Sequence, residues 1–168
     1  MTPMALITGV QKGFNEEELF KAINMENELD ILFGEEWEKE MKRVGGRNCR
    51  NPFKENIIIT GPTEIIKTIL KKGYLYLDLS KSYVEEYISV MLCYKCCRYG
   101  HSAERCNDTD YTCYKCAGKH SGTSCSNTAY NCGNCQRLGL QLRSHEARDV
   151  NCPVYKRKLE DAKNSIVY

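Results

Sequence analysis

The sequence predicts an α+β chain in two parts. A small β-α-β-β-α-β domain comes first, followed by a cysteine-rich part with little regular structure and a short C-terminal helix. Three observations carry this reading. Apolar residues alternate, or recur at helical spacing, mainly within residues 1–91. Ten of the 11 cysteines lie between Cys93 and Cys152, together with all three histidines. The charge also changes sign: residues 1–91 carry 12 Lys+Arg against 15 Asp+Glu, and residues 92–168 carry 12 against 7.

The length of 168 residues suits one small domain followed by mini-modules. With 27% charged residues and only four prolines, wholesale disorder is not expected. No apolar run approaches the roughly 20 residues that a membrane span requires. Residues 4–10 are apolar but short and lack a preceding basic region, so no secretory leader is expected.

The first part is read from residue 1 to residue 91. Ala5, Leu6, Ile7, Thr8, Gly9 and Val10 form the first expected strand. Asn15 is the expected N-cap of a helix, with Glu18 completing a capping box, and Leu19, Phe20 and Ile23 then recur at helical spacing. Glu16, Glu17 and Glu18 complement the helix dipole. Residues 35–42, which include the sole tryptophan, Trp37, read as a helical turn or part of a long loop. Residues 56–60 read as a strand. The Gly61-Pro62 break precedes a helix with Ile65, Ile66, Ile69 and Leu70 on one face, and Gly73 stops it. Residues 74–79 and 83–90 read as two strands joined by a polar turn at Ser80, Lys81 and Ser82.

This order resembles that of ferredoxin-like and RNA-recognition-motif (RRM-like) domains, with two helices on one face of an antiparallel sheet. The RNA-binding version stacks bases on aromatics of its central strands. Here those strands offer Leu6-Ile7-Thr8 and Ile57-Ile58-Ile59, so core or scaffold is the expected role of the sheet. Tyr74, Tyr76, Tyr83 and Tyr87 read as ordinary strand tyrosines.

The second part carries metal-ligand spacing. Cys93, Cys96, His101 and Cys106 form C-x2-C-x4-H-x4-C. Two cysteines three apart reach one metal from a tight turn, and the histidine and last cysteine close a tetrahedron. Gly100 lets the chain turn beside the ligand. Cys113, Cys116, His120 and Cys125 form C-x2-C-x3-H-x4-C, starting 20 residues later and repeating Cys-Tyr-Lys-Cys. Cys132, Cys135, His145 and Cys152 form the wider C-x2-C-x9-H-x6-C. Three Cys3His sets use every histidine and leave only Cys49 and Cys97. Three Zn2+ ions are therefore expected, in modules at 92–107, 112–126 and 131–153, with a helix or tail at 154–168. Such segments are too poor in apolar residues to fold alone, and metal binding supplies roughly 10 kcal/mol or more of apparent folding free energy. Four protein ligands leave no open position for water, which argues for structural zinc and against an enzyme. Zinc deamination would need a Glu in an H-x-E context, which none of the three histidines provides.

The first two sets resemble the CCHC zinc knuckles of Gag and nucleocapsid proteins. The triple arrangement, with Asn151-Cys152-Pro153-Val154-Tyr155 closing the third, resembles the Gag-like first-open-reading-frame proteins of arthropod non-LTR retrotransposons. Residues 83–90 running into Cys93-Tyr94-Lys95-Cys96 are similar to that family as well. The resemblance implies single-stranded RNA or DNA as partner, packaging of element RNA, self-association and recruitment of the element's reverse transcriptase. It also implies an intracellular ribonucleoprotein, cytoplasmic or nuclear, with no membrane.

Tyr94 and Tyr99 in the first knuckle and Tyr114 in the second are the candidates to stack on unpaired bases, at roughly 1–3 kcal/mol per base. Lys95, Arg98, Arg105, Lys115 and Lys119 are the candidate phosphate contacts. Arg137, Arg143 and Arg148 are further candidate phosphate contacts around the third set, and Lys156-Arg157-Lys158, which follows it, reads as a solvated helix face or a phosphate contact. Three thiolates and one Zn2+ leave −1 per site, so the loaded module is only mildly basic, at about +2. Modest affinity per knuckle, strong salt dependence and reliance on multivalency follow. A zinc module that recruits proteins and touches no nucleic acid is the competing expectation.

Overall fold

The computed structural model describes residues 2–166. The described residues divide into two compact units, one of residues 2–88 with Ser165 and Ile166, the other Ser89–Asn164. Among the described residues no helix is long and apolar enough to cross a membrane.

The first unit is α+β, with a five-stranded antiparallel sheet. Its elements are β1 (Met4–Gln11), α1 (Glu16–Asn27), α2 (Leu29–Phe33), a 3-10 turn (Trp37–Glu40), β2 (Lys42–Asn48), β3 (Lys54–Thr60), α3 (Thr63–Lys72), β4 (Tyr74–Leu77) and β5 (Ser80–Glu86). The sheet order is β2-β3-β1-β5-β4. Period-2 alternation in β1 sends Ala5 and Ile7 into the core; past a bulge Val10 joins them. Gly9 sits in that bulge at φ +73°, a conformation open to glycine, and its N–H donates to Asn56 Oδ1 at 3.0 Å.

Both halves of the expected capping box are made in α1. Asn15 Oδ1 accepts from the Glu18 N–H at 2.8 Å, and Glu18 Oε2 accepts from the Asn15 N–H at 3.1 Å. Leu19, Phe20 and Ile23 are buried against the sheet with Ile65, Ile66 and Ile69 of α3. Gly73 ends α3 in the left-handed region, at φ +75°. Trp37 is also buried. Its ring meets Phe20 edge to face at 6.4 Å, and its Nε1–H donates to Asn24 Oδ1 at 3.1 Å.

The hairpin departs from expectation. Ser80, Lys81 and Ser82 belong to β5, and the turn is Asp78-Leu79, with φ of 51° and 57°. Two positive φ values close a two-residue hairpin whose twist matches the strands, here pairing Leu77 with Ser80. β5 also stops at Glu86, short of Val90.

The helices and the core lie on one face of the sheet. On the other, the inner strands β1 and β3 present no aromatic ring. Tyr87, which follows β5, reaches Arg47 on β2, whose Nη2 donates to the tyrosine Oη at 2.7 Å. In the strand order this link bridges β1 and β3.

Candidate metal centres

The second unit has little regular structure: short 3-10 turns at Ala103–Arg105 and Gly122–Ser124, then α4 (Gly133–Arg137) and α5 (Pro153–Asn164). Its order comes from three groups of side chains. Cys93, Cys96, His101 and Cys106 converge, as do Cys113, Cys116, His120 and Cys125, and Cys132, Cys135, His145 and Cys152. Within each group the ligand atoms lie within 4.8 Å of one another.

The distances fit zinc. A tetrahedron with Zn–S of about 2.3 Å and Zn–N of about 2.0–2.1 Å has S···S edges of roughly 3.8 Å and S···N edges of roughly 3.5 Å. The sulfur–nitrogen distances are 3.3 Å for Cys96–His101, 3.6 Å for Cys116–His120 and 3.5 Å for Cys135–His145, all to Nε2. The sulfur–sulfur distances are 3.7 Å for Cys116–Cys125, 3.8 Å for Cys132–Cys152 and 3.6 Å for Cys135–Cys152. All 11 cysteines are free thiols. Three Cys3His sites are thus formed, each able to hold one divalent ion.

The first two cages share a backbone device. The Cys97 N–H donates to Cys93 O and the Ala117 N–H to Cys113 O, both at 2.9 Å. Cys97 and Ala117 then turn left-handed, with φ of 57° and 62°. In the first cage the N–H groups of Lys95 and Cys96 point at the Cys93 sulfur, at 3.4 and 3.5 Å. Burial pushes the Cys93 thiol up, but these donors and the neighbouring thiols of Cys96 and Cys106 outweigh it and hold it below the ordinary thiol value. Burial raises Cys96 to about 11 and Cys135 to about 12. Cys116 is lowered, first by the Asn127 side chain and then by the Gly118 N–H. An incoming ion must displace protons from the raised thiols, so metal affinity falls as pH falls.

Two glycines of the second cage have no room for a side chain. A Cβ on Gly118 would lie 2.8 Å from the His120 ring, and one on Gly122 would lie 2.1 Å from the Tyr114 ring. Gly122→Ala is expected to cost about 1–3 kcal/mol through overpacking. Chelator titration checks this, with the second zinc lost more readily than in the wild type.

The cages are not independent beads. Asn134 Nδ2, buried, donates to Cys97 O at 2.6 Å, and Arg137 Nη2 donates to Cys96 O at 2.9 Å, tying the third cage to the first. The Ala147 N–H donates to Tyr114 O and the Asn131 N–H to Lys115 O, both at 2.8 Å, tying the third to the second. The Thr112 N–H donates to Lys95 O at 2.7 Å, tying the second to the first. Cys97, Cys132, Cys135, Ala147, Cys152 and Val154 form one small buried core, against which Tyr99, Tyr114 and Tyr155 pack. Cys97 is therefore a core residue. Its thiol donates to Thr112 O at 3.0 Å, and burial raises it to about 11. Cys49 lies in the first unit, half-buried, next to Asn51 O.

The candidate binding residues separate into two kinds. Tyr94 is 70% exposed. Lys119 and Arg105 are exposed, and Lys95 and Lys115 are half-buried. Arg98 is exposed and pairs loosely with Asp108 at 3.4 Å. Tyr99 is anchored, its hydroxyl donating to Ala147 O at 2.8 Å and its ring 6.0 Å from that of Tyr155. Tyr114 is half-buried, covered by Arg148, whose guanidinium lies 4.0 Å from the ring centroid and 5.3 Å from that of Tyr94. Sequence reasoning placed Arg148 only as a phosphate contact and passed over Asn134 and Tyr155. Arg137, also read as a phosphate contact, donates to the first cage through Cys96 O. No spacing rule marks these residues, because their partners are backbone carbonyls and rings distant in sequence.

No family model matches the chain, and comparison with curated proteins and with solved structures finds no match either.

Proposed function

We propose that the chain is a zinc-dependent, single-strand nucleic-acid-binding protein of the Gag-like kind found in arthropod non-LTR retrotransposons, and that it packages element RNA into a ribonucleoprotein. The observation that carries this reading is the set of three Cys3His cages packed as one unit, with Tyr94 exposed and Lys95, Arg105, Lys115 and Lys119 around the first two. Rings and cations held in fixed places serve an unpaired strand, whose bases can be splayed out and stacked. Zinc in this reading is structural, its four ligands all supplied by protein.

The first unit is read as an RRM-like, ferredoxin-like scaffold. Support comes from the sheet order, with β3 and β1 inside, and from both long helices packing on one face. Its open face lacks stacking aromatics on those strands and is crossed by the Tyr87–Arg47 link, which favours a scaffold role over base binding.

A second reading, recruitment of a reverse transcriptase or host protein, is favoured by the apolar side chains around the third cage. Leu138, Leu142 and Val150 are 58%, 76% and 67% exposed.

The test is a binding assay on single-stranded and duplex RNA and DNA at two salt concentrations, with zinc measured on the same sample. The proposal requires single strands to bind better than duplex and affinity to fall with salt. Tyr94→Ala is expected to weaken single-strand binding by about 1–3 kcal/mol while zinc stays at three per chain. Binding of the variant equal to wild type would remove base stacking on this ring.

A further inference from the structure

We propose that the first and third cages jointly build a slot for one unpaired nucleobase, walled by Tyr94, Tyr99 and Tyr155 with the Arg148 guanidinium at its rim. The slot rests on the single-strand reading above and gives that reading a specific contact.

A cleft of about 350 Å³ is lined by Met91, Leu92, Tyr94, Tyr99, Arg148 and Tyr155. That volume is at the small end of ligand pockets, suited to one planar group rather than a length of peptide. Two walls are fixed: Tyr99 by its hydroxyl bond to Ala147 O, and Tyr155 by its packing on Tyr99 at 6.0 Å. The third wall, Tyr94, is 70% exposed, with the Arg148 guanidinium 5.3 Å from its ring centroid, so its ring is open to an entering base. Among the described residues no carboxylate pairs with Arg148. Its guanidinium lies against the ring faces of Tyr94 and Tyr114. Aromatic walls beside an unneutralised guanidinium match the two halves of a nucleotide, a flat π-face and a phosphate.

The parts come from separate segments. Tyr94 lies between ligands of the first cage, Arg148 between ligands of the third, and Tyr155 on α5 directly after it. The slot therefore exists only when both cages are closed, which makes base binding by the first knuckle depend on metal in the third.

The experiment uses the full zinc-loaded chain and a short uridine-rich single strand carrying one 2-aminopurine, whose fluorescence is quenched by stacking. Tyr155→Leu and Arg148→Lys are each expected to weaken binding about 5-fold or more and to relieve the quench, with zinc unchanged at three. Tyr155→Phe, which keeps the ring, restores both. Replacing uridines with 4-thiouridine and irradiating should place cross-links on Tyr94 or Tyr155. Wild-type binding and quench in both Tyr155→Leu and Arg148→Lys would overturn the slot and leave the single-strand reading standing. So would cross-links found only elsewhere, or displacement of a bound peptide and never of a base. Failure of the wild type to bind any single strand would overturn both.

Discussion

Removing metal with a strong chelator is expected to unfold Ser89–Asn164 while the unit ending at Ile88 keeps its sheet and helices. The physical reason lies in what each unit buries. The first has a continuous core of Ile7, Leu19, Ile23, Ile57, Ile59, Ile66, Leu75 and others, each contributing roughly 1.5–3 kcal/mol by burial. The second has a core made largely of its own ligand cysteines, with only Ala147 and Val154 as buried apolar residues beyond the cysteines. Without an ion, three thiols and an imidazole crowd together in each cage, and nothing of comparable size replaces the roughly 10 kcal/mol or more that one structural zinc supplies. Amide hydrogen exchange resolves the two units: protection should vanish across 89–164 and persist through β1, β3 and α3. Retained protection in the metal-free second unit would show that its fold does not depend on the ion.

The second large effect concerns coupling between cages. Cys135→Ser is expected to lower zinc from three ions to two and also to loosen the first cage, weakening its metal affinity roughly 10-fold or more. Cys135 sits beside Asn134 and two residues before Arg137, the side chains that bond Cys97 O and Cys96 O. When α4 loses its metal anchor, both bonds to the first cage lose their support. Cys106→Ser runs the same linkage in reverse: it should remove the first ion and weaken the third site by a similar factor, because the same two bonds join the cages. Metal release followed site by site, for instance by cobalt substitution and thiolate absorption, reads both effects. Loss of one ion in each variant with the affinity of the other cages unchanged would mean that the cages act as separate beads.

What was legible in the sequence, and what was not, follows from where each signal resides. α1 was readable because its start is written in side chains, Asn15 and Glu18, and its buried face in Leu19, Phe20 and Ile23. α3 was readable from its isoleucines and the Gly73 stop. β2 was not, because it is an edge strand of Lys42-Arg43-Val44-Gly45-Gly46-Arg47-Asn48, mostly exposed, and its pairing with β3 is carried by backbone. The hairpin turn was misplaced because Leu79 carries no turn signal. It takes a positive φ while 97% exposed, so hairpin geometry rather than residue preference places it there. The ligand sets were legible because metal geometry fixes both residue type and spacing, and for the third set the remaining ligands sufficed. The packing of the cages was not legible. It rests on carbonyls of Cys96, Cys97, Tyr114 and Ala147, groups that every residue possesses.

X-ray absorption at the zinc edge on the purified 168-residue chain, with elemental analysis of the same sample, tests the central claim most directly. Three zinc ions per chain are expected, each with an average shell of three sulfurs at about 2.3 Å and one nitrogen at about 2.0–2.1 Å. Protein that folds with no bound zinc, or a shell dominated by oxygen, would contradict it.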